Sequence, residues 1–76
     1  MPKKDMKNYY EVRIANAAWQ TGYYASTYKE AIHDFLKDPL YTFADGIYEV
    51  EVVKTKKVYK VEKKTQVITN TTVKFL

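Results

Sequence analysis

Cysteine is absent from the 76 residues, and glycine and proline occur twice each. Without a thiol the chain has no disulfide staple, no thiolate nucleophile and no Cys-based zinc site, and it is indifferent to redox compartment. Gly22 and Gly46 stand alone and far apart, which excludes a Gly-rich phosphate loop and keeps the turns from being the tight primed kind. The single histidine, His33, cannot assemble the three or four ligands that zinc needs. Beside Asp34 on a helix it makes no catalytic dyad either, because neighbouring helical side chains point in different directions around the axis. Ser26, the lone serine, has no evident base, so no acid-base or nucleophilic constellation is legible. One arginine, Arg13, is a poor basis for specific DNA readout, since bidentate recognition of guanine falls to arginine. No apolar run approaches the ~20 residues of a membrane span, and residues 1–7 lack the apolar stretch of a signal peptide. The expectation is a cytoplasmic protein that is not an enzyme, holds no cofactor or metal and does not enter a membrane.

What the chain does have is lysine, concentrated late. Through Val53 there are six bases and eight acids, a net of −2; from Lys54 onward there are seven bases and one acid, a net of +6. The overall charge of +4 therefore hides a polarised sequence. Lys54, Lys56, Lys57, Lys60, Lys63 and Lys64 face only Glu62 within residues 54–64. If that stretch forms a two-stranded ribbon, alternate lysines project from one face about 6.6–7 Å apart, near the spacing of phosphates, with Tyr59 beside them to stack on bases. The other reading of the same lysines is solubility, since charge on exposed strands keeps a small sheet from pairing with itself. Eight tyrosines, with Trp19, form a second surface signal: tyrosine offers rigid contact area with a polar tip and is enriched in interfaces. Trp19, Tyr41 and Phe43 are the candidate aromatic anchors.

Length bounds one domain, residues 1–76, with residues 1–7 as a polar, disordered lead-in; a chain this short buries only about 60% of its unfolded surface, and oligomerisation is one way to add burial. From Asn8 the pattern alternates, Tyr10, Val12 and Ile14 against Tyr9, Glu11 and Arg13, and predicts a half-buried strand. A turn within residues 16–22 leads to a second strand over residues 23–26. Thr27-Tyr28-Lys29-Glu30 fits a capping box, with the Thr27 hydroxyl accepting from Glu30 N–H and the Glu30 carboxylate reaching back to Thr27 N–H. Tyr28, Ala31, Ile32, Phe35 and Leu36 then trace one helical stripe, and Asp38-Pro39 ends it. Asp45-Gly46 turns into a third strand over residues 47–53, with Tyr48, Val50 and Val52 opposite Glu49 and Glu51. A bulge or turn is expected at residues 54–57. Thr65, Val67, Thr69, Thr71, Val73 and Phe75 alternate as a final strand that pairs back across a turn at Lys63-Lys64. The predicted class is α+β: one antiparallel sheet of four to five strands in the order β-β-α-β-β, with the helix on one face, the other face open, and an exposed strand edge near the C-terminus.

At Tyr24-Ala25-Ser26-Thr27-Tyr28-Lys29-Glu30-Ala31-Ile32 the chain resembles small β-β-α-β proteins carried by phages and other mobile elements, some of which are similar to anti-CRISPR inhibitors. The resemblance covers residues 8–53 and implies a host-directed, non-catalytic inhibitor or regulator, with no functional residue to carry over. Three functions follow as expectations. The first is a protein that docks its lysines and aromatics on an acidic or nucleic-acid-handling partner and blocks it. The second is direct, largely non-specific binding of DNA or RNA by the same lysines, and the third is a structural subunit of a homo-oligomer.

Overall fold

The structure, a computed structural model, describes residues 8–67 and 70–76. The expected lead-in at residues 1–7, and Thr69 of the expected final alternation, lie outside the described residues. The remaining chain follows the α+β plan, with five strands: β1 (Asn8–Ile14), β2 (Thr21–Ala25), α1 (Tyr28–Lys37), β3 (Gly46–Val52), β4 (Lys57–Val67) and β5 (Asn70–Phe75). The sheet is antiparallel throughout, in the spatial order β2-β1-β3-β4-β5. Since β2 and β3 both run antiparallel to β1, they run parallel to each other, and α1 carries the chain over β1 between them. That split β-α-β crossover lays the helix against one face.

The helix forms for the reasons its sequence gives. Thr27, in extended geometry, accepts from Glu30 N–H at 3.2 Å, and Ala31, Ile32, Phe35 and Leu36 are buried beneath it. One detail of the cap differs. Glu30 Oε1 accepts from Ser26 N–H at 2.7 Å, not from Thr27; the carboxylate reaches one residue further back to the end of β2 and ties that edge strand to the helix. At the far end Asp38 is extended, as its position before Pro39 requires.

Val12, Ala25, Val50, Val52 and Val61 complete the core from the sheet side. Each lies on the face shared by Tyr10, Tyr23, Tyr48 and Tyr59, which ring it half-buried. Phe35 is the largest fully buried side chain, with Phe43 at 5.1 Å, Tyr41 at 5.7 Å, Trp19 at 5.9 Å and Tyr23 at 6.1 Å between ring centroids. These distances fall in the range where edge-on pairs add to simple burial.

Two predicted boundaries move. β2 begins at Thr21, so Gly22 sits inside the strand and not in the turn; it faces Glu11 in β1, and Tyr9, two residues before Glu11, folds its ring across the space a Cβ would fill. No turn forms at Lys63-Lys64. Lys63 pairs with Gly46 on one side and Val73 on the other, and Lys64 pairs with Thr72, so β4 continues through them for 11 residues in all, with a shift of register against β5 between Thr65 and Val67. Asp45 holds that extension: its carboxylate accepts from the Thr65 N–H and hydroxyl, both at 3.0 Å. The alternation read as one final strand is thus divided between the end of β4 and β5.

Candidate functional site: a basic turn beside a split in the sheet

The expected lysine ribbon is a four-residue turn followed by one strand. After Val52 the chain reverses through residues 53–56, closed by Lys56 N–H on the Val52 carbonyl at 2.8 Å, with Lys56 in the left-handed region at φ 61°. Strand alternation then separates the lysines of β4. Lys60 and Lys64 project to the open face, whereas Lys63 and Lys57 project to the helix side, where Lys63 donates to the Phe43 carbonyl at 2.6 Å. Lys57 and Lys64 are ~23 Å apart along the strand. The six lysines therefore do not share a face, and only Lys54, Lys56 and Lys57 cluster, all exposed, at the β3–β4 turn.

The open face is evenly matched in charge. Arg13, Lys60, Lys64 and Lys74 share it with Glu11, Glu49, Glu51 and Glu62. Arg13 Nε meets Glu51 Oε1 at 2.6 Å, Glu49 stands opposite Lys60, and Glu62 stands opposite Lys74. Opposite charges facing across strands stabilise a sheet and leave little field over the face for a polyanion. Exposed apolar groups are scattered between them: the Tyr9–Tyr24 pair, tilted at 49° with centroids 5.0 Å apart, Val58, and Ile47.

The aromatic candidates divide as well. Trp19, from the β1–β2 loop, stacks on Tyr41, from the α1–β3 loop, at 5.1 Å with 26° between planes. Phe43 packs between Phe35 and Tyr48. Of these three only Trp19 is substantially exposed, at 44%. Tyr59 belongs to a separate cluster on the helix side, stacked on Tyr28 at 4.7 Å and edge-on to Phe75. Burial, then the Tyr28 ring beside it, raises the Tyr59 phenol above its ordinary value. Its ring already has a stacking partner.

At the lysine turn the sheet divides. β1 pairs with β2 from Asn8 to Val12 but with β3 only from Val12 to Ile14. The ladder closes with Val53 N–H on the Glu11 carbonyl at 2.9 Å, after which the turn curls away. Backbone direction repeats every second residue, so the Tyr9 N–H and carbonyl point the same way as those of Glu11 with no strand opposite among the described residues. The gap is a groove of about 310 Å³ lined by Asn8, Tyr9, Tyr10, Glu11, Val52, Lys54 and Thr55. Sequence reading missed it. Its one signal was the broken alternation at Val52-Val53, which marks where β3 leaves β1.

Elsewhere, polar groups are engaged in holding the fold. Tyr23 donates to Asp38 Oδ2 at 2.6 Å; burial, and then this carboxylate, raise its phenol far above the ordinary value. In return the Tyr23 hydroxyl, with the Leu40 N–H, holds the Asp38 carboxyl below its usual range. The Thr65 N–H and hydroxyl, then the charges of Lys63 and Lys64, do the same for Asp45. His33 Nδ1 is 3.8 Å from Asp34 Oδ1, beyond hydrogen-bond reach. No group of three metal-ligating side chains occurs among the described residues, nor does a helix long and apolar enough to cross a membrane.

Comparison with protein-family models, with curated proteins and with solved structures finds no match to this chain.

Proposed function

We propose that the protein acts by contact and not by turnover: it captures an acidic, extended segment of a partner protein in the groove beside the β3–β4 turn and blocks that partner. The observation that carries this reading is the coincidence of two features at one place. A strand with open backbone groups at Tyr9 borders the groove, and Lys54 lines it, with the exposed Lys56 and Lys57 on the same turn. An incoming strand gains main-chain hydrogen bonds from such an edge, and side-chain pockets then select among sequences. Lys54, Lys56 and Lys57 steer an acidic segment toward it, and Tyr9 and Tyr10 supply rigid contact area. A host-directed inhibitor or regulator of the phage type, acting on a nucleic-acid-handling protein, is a function that such a surface serves.

The test is an NMR titration of the full chain with a glutamate-rich peptide, and separately with a single-stranded DNA oligonucleotide, at low and moderate salt. Peptide-induced shifts confined to the amides of residues 8–11 and 52–56 are the expected result. Absence of peptide binding even at low salt overturns the reading. Shifts produced by DNA alone, spread over Lys60 and Lys64, replace it with direct nucleic-acid binding.

A further inference from the structure

We infer that β5 is a pairing edge for a second copy of this chain. Among the described residues β5 is the outermost strand, paired only with β4. Leu76 N–H donates to the Lys60 carbonyl at 3.0 Å, so by alternation Lys74 and Thr72 also point their backbone groups inward, while Phe75, Val73 and Thr71 present theirs outward. Natural edges are blunted by proline, shortness, bulges, inward-pointing charge or several charged side chains, lysine above all. β5 has no proline, and its one charge, Lys74, projects from the open face. The opposite edge, β2, is one residue shorter and runs directly into the helix cap.

The edge is complementary to itself. In an antiparallel pair centred on Val73, Val73 faces Val73 of the second copy and Thr71 faces Phe75, and each of these pairs exchanges both backbone bonds. Lys74 then faces Thr72, so no like charges meet on the open face. Centring on Lys74 would set lysine against lysine, which is destabilising. On the helix side the pairing extends the row formed by Val73 and Phe75, both half-buried in the single chain. A two-fold axis through Val73 makes the interface isologous and closed, which excludes fibre growth. A cysteine-free chain of 76 residues has no covalent staple, and association is one way for so small a core to gain burial.

Sedimentation velocity over a concentration series tests this, with expected reversible conversion of monomer to dimer. Val73→Pro removes an outward N–H and leaves the β4–β5 ladder intact; it is expected to abolish the dimer while circular dichroism keeps the sheet signal. Thr72→Glu sets a carboxylate against Lys74 of the second copy, and against Lys64 of its own chain so that the β4–β5 ladder is kept, and is expected to tighten association severalfold. A native chain that stays monomeric at all concentrations, or a dimer indifferent to these changes, overturns the inference. The groove is formed by other strands, so its binding measurements stand whichever result is obtained.

Discussion

At the end of the sheet where β1 turns into β2 and α1 leads into β3, polar side chains are bound to the fold: Tyr23 to Asp38, Asp45 to Thr65, Lys63 to the Phe43 carbonyl. Trp19, Tyr41 and Phe43 close over Phe35 there. At the opposite end, Lys54, Lys56 and Lys57 extend into solvent beside an incompletely paired strand, and the turn rests on backbone bonds and the Thr55 hydroxyl on Val52. One end uses its side chains to make the structure. The other leaves them uncommitted, and uncommitted charge and backbone are what a partner can bind. The lysine count alone hid this division, because Lys63 and Lys54 look equivalent in sequence and do different things in the fold.

The contrast is broken most severely at the packed end. Phe35→Ala is expected to lower unfolding free energy by about 3–5 kcal/mol, the cost of emptying an aromatic site in a core that cannot collapse fully; urea titration followed by circular dichroism measures it. Tyr23→Phe removes the hydroxyl that joins β2 to the helix terminus and should lower the melting midpoint by a few degrees, with the fold retained. Acid sharpens the comparison. Asp38 and Asp45 have folded-state pKa values below their unfolded ones, so the stability they contribute is present above the ordinary carboxylate range, near pH 4, and is lost as pH falls through the lowered values. Melting midpoints should therefore decline below about pH 4, and Asp45→Asn should flatten part of that decline. For Tyr23 the sign is opposite: its raised phenol contributes stability below pH ~10 that disappears as alkali is added. At the open end, reversing Lys54, Lys56 and Lys57 to glutamate should change stability by less than about 0.5 kcal/mol.

Much of the scaffold could be read from local pattern. The Thr27 cap, the apolar helical stripe, the stop at Asp38-Pro39 and the alternation of β1 and β3 are each written within a few neighbouring residues, where propensity and period decide the outcome. The continuation of β4 through Lys63-Lys64 was not legible. Two adjacent lysines suggest a turn by composition, but pairing of Lys63 with Gly46, on a strand beyond the β3–β4 turn, and of Lys64 with Thr72 of β5 keeps them extended. The groove was hidden for the same reason: it exists because β3 stops pairing with β1 at Val12, a register fact that neither strand encodes alone. The aromatic candidates showed that rings would gather, yet which rings met depended on two loops converging over Phe35, and that convergence drew Phe43 inward and left Tyr59 to another cluster.

The central claim is that binding belongs to the turn lysines and not to basic charge in general. Its most direct test is one affinity comparison, by fluorescence anisotropy with a labelled glutamate-rich peptide, between a Lys54→Glu/Lys56→Glu/Lys57→Glu variant and a Lys60→Glu/Lys64→Glu variant. Loss of binding in the first with near-native affinity in the second is the expected result; equal weakening per charge removed, or native affinity in both, would contradict it.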